Sequence, residues 1–173
     1  PSLLEASGGL NRLKLDLSEW CAHTACIVCN GDLDDPAVAR SVMRRAFLLI
    51  AADSGARHVT AAAVTPHAII GDMDSIEKDA GTERPDVHRI VFDPIKDQSD
   101  TELAVEWAQT KGAERIVLVA GTGDRFDHVL GHCALLLAHP ATLMLCTPGG
   151  GIALAIQSGQ HVRFGVKPGA CVS

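Results

Sequence analysis

Ile69-Ile70-Gly71-Asp72-Met73-Asp74-Ser75 is the stretch on which the reading of this chain turns, because an apolar run closes on two carboxylates one residue apart. With Ala68 to Ile70 as a buried strand, Gly71 lets the backbone turn. Asp72 and Asp74 then share one ligand at the carboxyl edge of a sheet. The pattern returns twice downstream. Lys96-Asp97-Gln98-Ser99-Asp100-Thr101-Glu102 precedes a helical pattern, and Gly121-Thr122-Gly123-Asp124-Arg125-Phe126-Asp127-His128 follows an apolar strand and opens another helix. Three acidic or Gly-rich loops, each after a strand, imply one shared active site.

The flanking sequence supplies the scaffold. Ala25 to Cys29 reads as a strand ending at the turn dipeptide Asn30-Gly31. Asp35-Pro36 provides an N-cap and a proline at the first helical position for a helix over Ala37 to Ala46. Phe47 to Ala52 is the second strand. It stops at Asp53-Ser54-Gly55-Ala56, a helix follows over His58 to Val64, and Thr65-Pro66 ends it. Beyond the opening motif, Glu77 to Asp86 reads as a loop and Val87 to Phe92 as a strand. Ser99 and Glu102 have the spacing of a capping box for a helix running to Lys111, with Leu103, Ala104, Trp107 and Ala108 as its apolar stripe and Gly112 as its stop. A strand over Arg115 to Ala120, a helix over Asp127 to Ala138 and a strand over Ala141 to Cys146 complete the series. Leu13, Leu15 and Leu17, alternating with Lys14 and Asp16, suggest a further short strand near the start.

Strands alternating with helices predict an α/β fold. The expected architecture is a mainly parallel, Rossmann-like sheet with right-handed crossovers, which gathers the strand-end loops at one edge. Residues 1–147 are assigned to this unit. From 148 to 173, short runs at Ile152 to Ile156 and His161 to Phe164, separated by Gly and Pro, read as antiparallel strands of a small C-terminal β-domain. That domain stops unfinished at Ser173, so a trimmed or incomplete chain is expected.

Composition narrows the class of function. Apolar residues make up 47% of the chain but aromatics only 3%, with no Tyr, so the core is built from Ala, Val, Leu and Ile, as in sheets covered on both faces. A net charge of -6, with no basic run interleaved with aromatics, argues against a nucleic-acid groove. No run approaches the ~20 apolar residues of a membrane span, and the first residues lack a signal core. Cys26, Cys29, Cys133 and Cys146 lie inside apolar runs, where reduced thiols pack as small hydrophobes, so a soluble cytoplasmic protein is expected. Cys26 and Cys29 sit within a strand and have no second cysteine pair at zinc spacing. His128 and His132 are four apart, but the Glu of a zinc-protease motif is missing, which favours a surface or core pair.

The chemistry follows from the loops. Asp72, Asp74, Asp97 and Asp100 would repel one another strongly if they met without a cation. Mg²⁺ resolves this, since it takes oxygen ligands from a few carboxylates together with substrate phosphates. Asp97 and Asp100 sit at a helix N-terminus, where free backbone amides also suit a phosphate. Arg125, in a Gly-flanked loop, is the candidate to meet charge building on a phosphoryl group. Lys96 either touches phosphate or balances the acids around it. Asp53, with Ser54-Gly55 opening a helix, either binds nucleotide or caps that helix.

Taken together, Ala52-Asp53-Ser54-Gly55-Ala56, Gly71-Asp72-Met73-Asp74-Ser75, Lys96-Asp97-Gln98-Ser99-Asp100-Thr101-Glu102 and Gly123-Asp124-Arg125-Phe126-Asp127-His128 resemble, in order and spacing, the motifs of thiamine pyrophosphokinases. The resemblance spans Ala25 to Ala138. It implies transfer of a pyrophosphoryl group from ATP to the hydroxyethyl group of thiamine, giving thiamine diphosphate and AMP. It also implies a C-terminal β-sandwich and a homodimer, with thiamine held between the catalytic domain of one subunit and the β-domain of the other. Carried onto this chain, it makes Asp72, Asp74 and Asp100 the Mg²⁺ ligands, with Asp97 assisting the metal or the hydroxyl and Arg125 stabilising the transferred phosphates. Asp53, Ser54, Gly55, Ser75, Lys96, Ser99, Thr101, Asp127 and His128 fall to nucleotide and cofactor binding. The chain departs from the family at Ser54 and Asp124, where Gly is usual, at Arg57, where Asn is usual, and at Ser99, which replaces Thr. Two other readings use the same residues: a pyrophosphokinase of another hydroxymethyl heterocycle such as a pterin, and a non-catalytic nucleotide or thiamine sensor.

Overall fold

A computed structural model describes residues 22–33, 35–71, 85–93, 97–140, 142–147 and 151–159. Its centre is β1 (Thr24–Val28), an apolar run buried along its whole length, as a strand covered on both faces must be. On one side of β1 lie β2 (Leu48–Ala52), β3 (Ala68–Gly71) and β4 (His88–Val91). On the other side lie β5 (Arg115–Val119), β6 (Leu143–Thr147) and β7 (Gly151–Leu154), in the order β4-β3-β2-β1-β5-β6-β7. Every pairing is parallel except β6 with β7, where Cys146 stands opposite Ile152. The expected α/β sheet is therefore present. The antiparallel strand foreseen near Ile152 is present too, but it extends the main sheet. The remainder of the β-domain foreseen over 148–173, including His161 to Phe164, lies outside the described residues, as do the strand at Leu13 to Leu17 and most of the loop at Glu77 to Asp86.

The helices occupy the faces that right-handed crossovers dictate. The chain first moves outward through β2 and β3, which places α1 (Pro36–Arg45) and α2 (Ala56–Ala61) on one face. It then jumps from β4 back past β1 to β5 and continues to β6, which places α3 (Asp100–Thr110) and α4 (Phe126–Ala138) on the other. Alternate strand residues divide accordingly. Cys26, Val28, Leu49, Ala51 and Ile69 pack with Met43 and Val59, whereas Ile27, Ile50, Ile70 and Leu118 pack with Leu103, Val105, Leu135 and Leu136. Each fully buried Ile, Leu or Val contributes about 1.5–3 kcal/mol, so the two clusters are what hold the sheet edge in place.

Helix ends follow the local code. Asp35 caps α1 by accepting from Ala37 N–H at 3.2 Å and Val38 N–H at 3.1 Å, with Pro36 in the first turn, and Arg44 and Arg45 lie at the carbonyl end. Ser99 Oγ accepts from Glu102 N–H at 3.2 Å to start α3. Gly112, at φ 86°, ends it in the left-handed conformation that glycine tolerates. One helix differs from the sequence pattern. The helix expected over His58 to Val64 begins earlier, after a 3-10 turn at Asp53–Gly55, and stops at Ala61, because Ala63 turns left-handed at φ 51° and Val64 N–H bonds back to the Val59 carbonyl at 3.2 Å. None of the helices among the described residues is long and apolar enough to cross a membrane.

Candidate active site

Between β1 and β5 the strand order changes direction, and the loops leaving these two strands diverge to opposite faces. In open α/β sheets ligands bind in the crevice formed there. A cavity of about 450 Å³ occupies this position. Its two lips are joined by a backbone ladder that continues past the strands: Cys29 N–H to Val119 O at 2.8 Å, Gly31 N–H to Ala120 O at 2.7 Å and Asp32 N–H to Thr122 O at 2.6 Å. Gly31 is obligatory in this arrangement, because a Cβ there would run into the carbonyl oxygens of Ala120 and Thr122. From beneath, α2 braces the same loop. Arg57 Nη2 donates to Asn30 O at 2.9 Å and His58 Nε2 lies 2.9 Å from Gly31 O. Burial lowers the pKa of His58, so a neutral ring donates this bond.

Of the sequence-derived candidates, Asp53, Ser99, Asp100, Thr101, Arg125, Asp127 and His128 line this one cavity. Asp97 is exposed just before the lining begins at Gln98. Ser54 and Gly55 act from behind: Ser54 Oγ donates to Asp53 Oδ2 at 3.0 Å, and Gly55 lets α2 abut the Val28 carbonyl. Asp72, Asp74, Ser75 and Lys96 lie outside the described residues. Asp72 follows directly on Gly71, whose Cα faces the Asp53 backbone so closely that a Cβ would stand 3.2 Å from Asp53 Cα.

Two features mark the cavity as more than a surface cleft. Asp53 and Ala120 follow β2 and β5 with φ of 47° and 53°, left-handed conformations that cost a non-glycine residue of order 1–3 kcal/mol and gather at functional sites. Asp53 Oδ1 and Thr122 Oγ1 are buried without a hydrogen-bond partner. Native interiors rarely leave such atoms unpaired unless a ligand, water or ion completes them. Asp53 Oδ1 is a hard anionic oxygen, which suits a hydrated Mg²⁺, and the Thr122 hydroxyl can donate to a phosphate. Among the described residues, however, no group of three or more His, Cys, Asp or Glu side chains converges as a metal site.

Around the rim, Arg125 and Asp127 form a two-pronged ion pair, and the adjacent guanidinium holds the Asp127 carboxyl well below the usual carboxylate range. The two histidines separate in role. His128 is exposed at the rim, whereas His132, buried, bonds the Gly121 carbonyl and the Thr101 hydroxyl. Thr101 thus turns its side chain into the protein. Sequence reasoning missed Asn30 and Gly31, read only as a turn, Asp32 beside them, and the bracing roles of Arg57 and His58. The available signal was their position: they follow the strand that flanks the change of direction, but only the strand order reveals that.

The same fold is found elsewhere. The sequence profile of the family described as thiamin pyrophosphokinase, catalytic domain, matches residues 39–146. This chain belongs to that family. The thiamine pyrophosphokinase of Bacillus subtilis is 36% identical over 93 residues, which are 51% of this chain and 42% of that protein. Thiamin pyrophosphokinase 1 of Caenorhabditis elegans is 28% identical over 133 residues, 70% of this chain and 52% of its own length. The crystal structure of the Bacillus subtilis thiamine pyrophosphokinase superposes with a TM-score of 0.59 at 30% identity, covering 70% of this chain and 59% of that one. The chain therefore spans about half the length of the thiamine pyrophosphokinases it matches in sequence. The family match takes in both the loop after β2 and the Gly-rich loop after β5 that meet at the cavity.

Proposed function

We propose that this chain forms the ATP-binding and catalytic part of a thiamine pyrophosphokinase. The observation that carries the reading is the cavity at the β1/β5 junction, where motif residues from three loops meet around the unpaired Asp53 Oδ1 and Thr122 Oγ1. In this reaction the thiamine hydroxyl oxygen bonds to the β-phosphorus of ATP, the bond from that phosphorus to the α,β-bridging oxygen breaks, and AMP leaves. Asp97 is assigned to assist the metal or the hydroxyl, whose proton passes to a carboxylate. The amides of the first turn of α3 face a phosphate, and Arg125, released from Asp127, meets the charge on the transferred group.

Asp72, Asp74 and Asp100 would hold Mg²⁺; of these Asp100 lines the cavity, where the unpaired Asp53 Oδ1 offers a further hard oxygen. When bound, the ion neutralises phosphate charge. Asp53, Ser54, Gly55, Ser75, Lys96, Ser99, Thr101, Asp127 and His128 complete the nucleotide site, Thr101 and Ser54 acting from behind the wall. Residues 1–147 are assigned to this catalytic domain and 148–173 to the start of the β-domain. A homodimer is proposed, in the cytoplasm. It is supported by the outer stripe of α4, where Phe126, Leu130 and Leu137 are 70%, 54% and 72% exposed at helical spacing, an apolar patch of the kind that marks a partner surface.

The test is AMP release from ATP offered with thiamine and, separately, with a pterin alcohol. Release that requires thiamine, with thiamine diphosphate as the second product, supports the reading. Release only with the pterin alcohol reassigns the acceptor, and nucleotide binding without release makes the chain a sensor.

A further inference from the structure

Beneath the cavity floor runs a chain of polar contacts shielded from solvent. Cys29, Thr101 and His132 are 3%, 8% and 6% exposed. His132 Nδ1 lies 2.6 Å from Gly121 O, His132 Nε2 lies 3.2 Å from Thr101 Oγ1, and that hydroxyl lies 3.7 Å from Cys29 Sγ. The direction of donation follows from the Gly121 carbonyl, which can only accept. His132 Nδ1–H donates to it. Burial lowers the pKa of the ring and so keeps it neutral, which leaves Nε2 to accept the Thr101 O–H. The Thr101 oxygen then accepts from the Cys29 thiol, which burial keeps protonated, its pKa pushed up to about 12.

A buried imidazole needs partners for both nitrogens, and a core histidine would meet that need with any nearby groups. Here the partners come from separate walls of the cavity. Gly121 belongs to the loop after β5, Thr101 is the second residue of α3, Cys29 directly follows β1, and His132 reaches them from α4. There is little slack around Gly121, since a Cβ at that position would stand 3.3 Å from His132 Nδ1 and strike the Leu145 side chain. Apolar contacts would fill this space without fixing one wall against another. Directional bonds fix both spacing and rotation.

We propose that His132 is a positioning residue, locking the first turn of α3 to the loop after β5 so that the helix amides and the Thr122 to Arg125 segment address the same phosphate. The proposal rests on the cavity being the phosphoryl-transfer site. In the full chain, Thr101→Val keeps the packing and removes the hydroxyl, Thr101→Ser keeps the hydroxyl, and His132→Gln retains one polar contact. With melting temperature recorded for each, Thr101→Val lowers kcat about tenfold or more with KM for ATP changed less than about threefold, as expected for misaligned groups. Thr101→Ser restores kcat to within about twofold of the parent. Independently of turnover, ¹⁵N spectra of the imidazole report the Nδ1–H tautomer, the minor form of a free histidine side chain, and its signals shift in Thr101→Val. Folded Thr101→Val and His132→Gln proteins with parental kcat, a change in KM alone, or an Nε2–H ring in the parent would each overturn the proposal. If the parent releases no AMP with any acceptor, the functional reading fails by itself, and the tautomer decides whether the lock exists.

Discussion

Arg125 and Asp127 clasp each other through two parallel bonds, Nε to Oδ1 at 2.9 Å and Nη2 to Oδ2 at 2.6 Å, on the rim of the cavity. Both side chains are largely exposed, so solvent screening leaves the pair little stabilising energy. In the proposed mechanism it serves as a parking position for a guanidinium that matches phosphate equally well. Arg125→Ala should lower turnover by about a hundredfold while weakening ATP binding much less, as befits charge met mainly in the transition state. Steady-state kinetics beside a calorimetric ATP titration separate the two. Equal losses in both would demote Arg125 to a binding residue.

Removing divalent cations with a chelator should abolish AMP release, and added Mg²⁺ should restore it. Asp100→Asn should reduce metal-dependent turnover strongly with a small change in melting temperature, because the oxygen that accepts the capping bond of α3 is that of Ser99, not Asp100. Full turnover in excess chelator would remove the carboxylates from the metal role. Retained activity in Asp100→Asn would leave Asp100 as a helix-end charge.

Two glycine substitutions should move stability in opposite directions. At Gly31 an added methyl collides with backbone carbonyls that the interstrand ladder cannot release, so Gly31→Ala should cost about 1–3 kcal/mol. At Gly131, inside α4, no atom of the described residues beyond its chain neighbours and the helix's own backbone lies within 4 Å of the added carbon. Gly131→Ala should therefore stabilise by about 0.5–1 kcal/mol through helix propensity. Chemical denaturation of both variants checks the contrast, and similar effects from the two would refute it.

Acid should weaken the fold through its buried histidines. The pKa of His132 in the folded protein is lowered from 6.5 by burial, and that of His58 is lowered for the same main reason. The unfolded chain then binds protons more readily. Their contribution to stability is complete above pH 6.5 and is lost as the pH falls from there through the lower folded values. His132→Gln should melt at a lower temperature at neutral pH yet lose less on acidification, with His58 left to supply part of the remaining slope. Parallel melting curves for parent and variant between about pH 7 and about pH 5 would contradict this.

Most of the scaffold was legible because its signals are local. Asp35-Pro36, Ser99 and Gly112 act within one turn of the residues they punctuate, and the strands at Ala25, Leu48 and Ala68 are continuous apolar runs. That Asp53, Asp100 and Arg125 would meet at one cavity was legible as well, since each stands in a polar loop directly after a strand or at a helix start. What escaped depends on pairs distant in sequence. Asn30 and Gly31 look like any turn until β5 is known to lie beside β1, and the strand near Ile152 joins the main sheet only through its pairing with β6. The early end of α2 depends on one left-handed alanine, Ala63, which no sequence rule favours.

The ladder that runs on from β1 and β5 through Gly31 and Asp32 makes the mouth of the crevice an extension of the sheet. A loop that had to organise itself around each incoming nucleotide would surrender backbone freedom at every encounter. Here that freedom was given up when the protein folded, so more of the contact energy remains available for holding a ligand. The amides of Gly31 and Asp32 should accordingly exchange with solvent deuterium at rates typical of strand interiors even before any ligand arrives.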